Sequence, residues 1–177
     1  MDQLGETYGA GRRARALAKV RPWAFAAFAA LALLFQLYLP LFFESASGVD
    51  LPLLVLLYLA VLRRRPIFGT LLGAAIGLLQ DALSQHPLGL FGIAKTVIGY
   101  AAASLSWRLD TDGAAVRFVL AGLVYLVHQG CYWGMRVLLL GHALAVDPAR
   151  TLLLAAVNAA IGIPLFLLFD RLRSEDE

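Results

Sequence analysis

Long apolar blocks constrain this chain more than any other feature of its sequence. An apolar block of about 20 residues is long enough to cross a bilayer as a helix. Inside a bilayer, only helices and closed barrels satisfy their own backbone hydrogen bonds. Hydrophobic residues make up 60% of the 177 residues and charged residues only 15%, whereas soluble domains contain about 25% charged residues. The sequence therefore predicts an all-α membrane protein.

The blocks predict a compact bundle of six transmembrane helices that forms a single domain. The helices are expected over residues 22–43, 51–62, 67–83, 88–105, 118–140 and 151–169. The second helix is short for a full span, and it could begin inside the membrane interface or break near Pro52. The predicted organisation is a basic tail over residues 1–21, the membrane domain over residues 22–170 and a charged tail over residues 171–177.

The positions of Lys and Arg predict the orientation of the bundle. The segments before the first helix and after the second, fourth and sixth helices contain five, three, two and two basic residues. These twelve of the fifteen basic residues share one side if the chain crosses the membrane six times. Loops rich in Lys and Arg stay in the cytoplasm, so both termini are expected there. The basic clusters indicate topology and give no sign of binding to nucleic acid.

No constellation of catalytic or metal-binding residues stands out in the sequence. His128, Cys131 and His142 lack the spacing of metal ligands, and neither HExxH nor CxxC occurs. There is no serine in a GxSxG elbow and no pair of carboxylates within one span. The sequence therefore predicts a protein that is not an enzyme and has no cofactor or bound metal.

Three glycines of the third predicted helix, Gly69, Gly73 and Gly77, follow one another at four-residue spacing. This spacing places them on one face, where another helix can approach closely. The face is expected to serve packing within the chain, with a contact between two copies in a homodimer as the alternative.

Polar side chains cluster in the half of the membrane that this topology places outside. They are Gln80, Asp81, His86, Lys95 and Arg136. Charged groups within a span need a partner or a wet cavity, and an ion pair between Asp81 and Lys95 would neutralise both. The cluster is expected to be a structural ion pair, a polar pocket or a contact with a partner. Asn158 predicts a hydrogen bond between helices.

The sequence over residues 69–100 has a glycine-rich helix that ends in an aspartate, then a Pro-Leu-Gly turn and a helix that leads on to Gly-Tyr. The residues that carry this pattern are Asp81, Pro87, Gly89, Gly99 and Tyr100. The pattern resembles that of the rod-shape-determining protein MreD family, and the length and the short second helix fit as well. The six-helix layout is also similar to the substrate-binding subunits of energy-coupling-factor vitamin transporters.

The resemblance to MreD implies a membrane scaffold of the bacterial cell-wall elongation machinery, located in the inner membrane. It implies a direct contact with the bitopic protein MreC. Through MreC it implies links to the filament protein MreB and to the peptidoglycan polymerase RodA with its partner transpeptidase. The alternative is a vitamin-binding transporter subunit with a ligand cavity near Asp81, Lys95 and Arg136.

Overall fold

The computed structural model describes residues 22–42, 48–84, 87–108, 113–141 and 147–174, and these residues form six helices. The helices are α1 (Pro22–Phe42), α2 (Leu51–Arg63), α3 (Pro66–Leu83), α4 (Leu90–Leu105), α5 (Ala114–Leu140) and α6 (Pro148–Ser174). The prediction of an all-helical chain is confirmed. The tail over residues 1–21 lies outside the described residues.

Two helices extend beyond the apolar blocks that predicted them. Helix α5 begins at Ala114 instead of residue 118, and α6 continues past residue 169 to Ser174. The added turns contain Arg117 and Asp170, whose side chains form an ion pair. Hydropathy alone places a helix end at the first charged residue, whereas here the two charges stabilise each other across the helices.

Of the six helices that the described residues form, three are long and apolar enough to cross a membrane, over Pro66–Leu83, Ala114–Leu140 and Pro148–Arg171. The apolar stretches Ala27–Tyr38, Leu51–Arg63 and Leu90–Leu105 are shorter. The chain is therefore a membrane protein. That all six helices span the membrane remains a prediction. The similarity of the fold to vitamin-binding transporter subunits also remains a prediction.

Helix α2 lies at the centre of the bundle. It contacts each of the other five helices, and residues 52–60 are all buried. Helix α2 is apolar all round, and its neighbours bury it on every side. The surrounding helices instead expose large apolar side chains such as Leu71 on α3 and Leu138 on α5. They form a shell that separates α2 from lipid.

Helices α3 and α4 make the most extensive contact of any helix pair, and glycines bring their backbones together. A Cβ atom on Gly73 would overlap the carbonyl of Lys95, and one on Gly69 would overlap the carbonyl of Gly99. A Cβ on Gly77 would likewise overlap the carbonyl of Phe91. Only glycine permits this approach. Because α4 of the same chain covers these three glycines, a homodimer would need a different surface.

The bundle has two chemically different ends. At the Arg63 end, which holds the C-terminus of α2, Tyr58 packs against Phe166 and Phe169. The Tyr58 hydroxyl donates to Asp170 Oδ1 at 2.9 Å. At the opposite end, here called the Asp50 end, the polar side chains of Asp50, Lys95 and His128 are buried among the helices.

Candidate functional site

A buried ion pair lies at the N-terminus of α2. Asp50 caps this helix, because its Oδ1 accepts a hydrogen bond from the backbone N–H of Leu53 at 2.9 Å. Its other oxygen, Oδ2, accepts from Nζ of Lys95 at 2.5 Å. The Lys95 side chain has no exposed surface. Burying two charges is costly unless each is paired and hydrogen-bonded, and this pair meets both conditions.

Neighbouring amides hold the segment that carries Asp50. Asn158 of α6 accepts from the Asp50 backbone N–H at 2.9 Å and donates to the Gly48 carbonyl at 3.0 Å. Gln36 of α1 accepts from the Leu51 N–H at 3.2 Å. Asn158 thus bonds across the bundle, to the segment before α2. Side chains from α1, α4 and α6 therefore fix the position of the Asp50 carboxylate.

The prediction of an ion pair between Asp81 and Lys95 is wrong. Asp81 instead accepts hydrogen bonds from the backbone N–H groups of Gly89, Phe91 and Gly92, at 2.9, 3.1 and 3.0 Å. These are donors at the start of α4, whose N-cap residue, Gly89, has no side chain that could accept from them. A carboxylate at a helix N-terminus satisfies donors that the helix cannot, so Asp81 joins α3 to α4.

A cavity of about 360 Å³ lies beside the Asp50–Lys95 pair; we call it the Asp50 cavity. Its lining comes from α1, α3, α4, α5 and α6 and from the segment before α2. One wall is aromatic. The ring of Phe91 stacks on Tyr132 with the centroids 4.8 Å apart, and on His128 with the centroids 5.7 Å apart. Tyr125 and Trp133 also line the cavity.

Two buried polar side chains of this cavity have atoms without a partner. Within the described part of the chain, neither ring nitrogen of His128 nor Oε1 of Gln80 has a hydrogen-bond partner. His128 is 1% exposed and Gln80 4% exposed. Nε2 of His128 lies 3.9 Å from Asp50 Oδ2, which is too far for a hydrogen bond. Buried polar atoms in native proteins usually have hydrogen-bond partners. A cavity lined by buried polar atoms without such partners is therefore uncommon.

The other predicted site residues lie around this centre. Gln80 lines the cavity, and the Arg136 guanidinium lies 5.9 Å from the ring centroid of Tyr132. His86 lies outside the described residues. Gly89 has a φ of 103°, which favours glycine, and it precedes the first residue of α4.

The family-like residues differ in exposure. Pro87 and Tyr100 are exposed, whereas Asp81 and Gly99 are buried. The exposed pair faces outward from the bundle, while the buried pair contributes to the contact between α3 and α4.

Asp50 is not among the site residues predicted from the sequence, because it lies in the predicted loop between the first two helices. A signal was available. An aspartate directly before an apolar block with proline at its second position is typical of a helix N-cap. The N-cap residue of a fully apolar helix lies at the edge of the core. The buried side chain of Lys95 can therefore reach Asp50.

The apolar helices, the buried α2 and the polar centre among them define this chain as an integral membrane protein of the helical-bundle class. A family model described as rod shape-determining protein MreD matches residues 18–172. The chain therefore belongs to the MreD family, a structural protein family that determines rod shape. No curated protein and no solved structure matches the chain significantly. Membership of this family disfavours the vitamin-transporter alternative.

Proposed function

We propose that this protein is a non-enzymatic scaffold of the cell-wall elongation machinery that binds MreC directly. Through MreC it would be linked to MreB, and to peptidoglycan synthesis by RodA and its partner transpeptidase. The observation that carries this proposal is the family match over residues 18–172. The buried charges are consistent with it, because Asp50, Lys95 and Asp81 all hold helices together.

The proposed location is the bacterial inner membrane, with six spans and both termini in the cytoplasm. Twelve of the fifteen basic residues would lie on the cytoplasmic side, as the positive-inside rule requires. The Asp50 end then faces outward. A reporter that is active only outside the cytoplasm, fused after Glu177, should be inactive. An active reporter would overturn this topology.

We propose that Tyr100 belongs to the surface that contacts MreC. Among the family-like residues, it is the large side chain that faces outward, with 57% of its surface exposed. Asp81 cannot meet a partner directly, because it is 1% exposed and bonded to three backbone donors. The aromatic ring of a tyrosine supplies much contact area at little conformational cost.

The test is co-purification of MreC from native membranes in mild detergent. Tyr100→Ala should retain far less MreC than the wild type. Tyr38→Ala is the matched control, because Tyr38 lies on α1 with the same exposed fraction of 57%. Both variants should have the thermal stability of the wild type. If the wild type retains no MreC, the scaffold proposal fails; equal retention by both variants would exclude Tyr100 as the contact.

A further inference from the structure

We propose that the Asp50 cavity binds a neutral, hydroxyl-bearing ring, the chemistry of a sugar. This ligand site is separate from the proposed contact with MreC, and its test requires no partner protein. Three features of the cavity carry the inference: its aromatic wall, its unpartnered polar atoms and its balanced charge.

The aromatic side chains give the cavity a wall that suits a ring. The planes of Phe91 and Tyr132 are inclined by only 11°, and those of Phe91 and His128 by 4°. Phe91 therefore lies face to face with Tyr132 and with His128, and Tyr125 and Trp133 add two further aromatic side chains to the lining. Aromatic faces carry partial negative charge and pack against the slightly positive edges of other groups. The C–H groups of a saturated ring suit an aromatic lining of this kind.

The unpartnered atoms require hydrogen bonds of both kinds. Oε1 of Gln80 can only accept, whereas the imidazole of His128 in its neutral form donates through one nitrogen and accepts through the other. Each hydroxyl group both donates and accepts. A ring with several hydroxyls could satisfy Gln80 and His128 together, while a hydrocarbon ring would leave both unpaired.

Among the described residues, the charges at the cavity cancel. Asp50 is neutralised by Lys95, and the rim contains one acidic and one basic residue, Asp147 and Arg150. A strongly charged ligand would therefore gain no net attraction. The volume of about 360 Å³ falls within the range of roughly 300–1,000 Å³ that small-molecule sites occupy. A single sugar ring fits these limits.

The experiment uses the fluorescence of Trp133, which lines the cavity. Trp133 becomes the only tryptophan when Trp23 and Trp107 are changed to phenylalanine. The protein is placed in lipid nanodiscs, so that no sugar-headed detergent competes. Glucose and N-acetylglucosamine are the free probes, and a monoglucosyl diacylglycerol in the nanodisc presents the same ring on a lipid. Sorbitol supplies hydroxyls without a ring.

We expect a saturable change in Trp133 emission with at least one of the two free sugars or with the glycolipid. A response to free sugar indicates a water-borne ligand, and a response to the glycolipid alone indicates a membrane-borne one. Gln80→Leu, which keeps the size of the side chain but removes its oxygen, should weaken binding at least tenfold. Tyr132→Leu, which removes one aromatic ring of the lining, should do the same.

Tyr38→Leu is the control, because this tyrosine is exposed and does not line the cavity; it should bind as the parent does. The proposal is overturned if neither sugar nor glycolipid changes the emission, or if sorbitol acts as strongly as glucose. It is also overturned if Gln80→Leu binds as well as the parent in a nanodisc sample that melts at the same temperature.

Discussion

The unit of α2, α3 and α4 and the pair of α5 and α6 differ in how closely their backbones approach. In the first, a Cβ atom on Gly73 would overlap a backbone carbonyl of α4. In the second, Gly122 has room, with the nearest atoms of α6 at 3.7 and 3.8 Å from its Cβ position. A Cβ on Gly134 would meet nothing within 4 Å among the described residues.

The two regions also differ in how deeply their ion pairs are buried. Lys95 and Asp50 are buried together, with side-chain exposures of 0% and 10%, whereas Arg117 and Asp170 are 16% and 30% exposed. The first unit thus depends on contacts that cannot adjust, namely backbone against backbone and charge against charge. The α5–α6 pair depends on ordinary side-chain packing, which tolerates change. Four predictions test this difference.

Lys95→Met should have the largest effect, because it leaves the Asp50 carboxylate buried without its cation. Breaking a buried pair in this way costs about 3–5 kcal/mol. The measurement is reversible unfolding of the detergent-solubilised protein. The double variant Asp50→Asn with Lys95→Met should recover much of that loss. If the double loses as much as the sum of the singles, the two side chains do not interact.

Gly73→Ala should destabilise the protein by about 1–3 kcal/mol, the cost of overpacking, because the new methyl group meets a backbone carbonyl that cannot rotate away. Gly134→Ala is the matched substitution on α5, where the methyl group has space. It should be neutral or stabilising by up to about 1 kcal/mol, since alanine favours helix more than glycine does. Melting temperatures that shift in the same direction would remove the distinction between the two regions.

Asp81→Ala should lower the free energy of unfolding by about 0.5–2 kcal/mol, the usual loss when a helix cap is removed. The loss should lie at the upper end of this range because Asp81 is buried. Asp147 caps the start of α6 in an exposed position, where its Oδ1 accepts from the Arg150 N–H at 3.1 Å. Asp147→Ala should therefore lie at the lower end. Chemical unfolding of both variants gives the comparison, and equal losses would show that burial of the cap does not matter.

Arg117→Met should have the smallest effect, about 0–1 kcal/mol, because a partly exposed ion pair contributes little. Asp170 would also keep its hydrogen bond from the Tyr58 hydroxyl. The variant is best compared directly with Lys95→Met in the same unfolding assay. A loss as large as that of Lys95→Met would mean that the two ion pairs are equivalent.

Much of the fold could be predicted from apolar blocks, since six helices occur near the six expected positions. The ends of α5 and α6 could not, because hydropathy treats Arg117 and Asp170 as breaks, whereas they pair across the helices. The four-residue spacing of Gly69, Gly73 and Gly77 predicted a closely approached face, and α4 covers that face.

The partner of Lys95 could not be predicted from proximity along the chain. Asp81 is nearer in sequence and lies on the adjacent helix, but the free donors at the start of α4 take its carboxylate. Asp50 is 45 residues away from Lys95, and it reaches the core because it caps the start of a helix that is buried on all sides. The pairing of Lys95 with Asp50 depends on how several helices pack together. A local sequence pattern carries no information about that packing.

The shortness of α2 has a consequence for the shape of the membrane domain. Its 13 residues span about 20 Å, whereas the hydrocarbon layer of a bilayer is about 30 Å thick. A helix in contact with lipid would meet that deficit by thinning the bilayer or by extending its flanking side chains. Because its neighbours surround α2, it needs neither, and the missing depth would instead leave a recess inside the protein. The Asp50 cavity lies beside the residues that precede α2, where that recess begins.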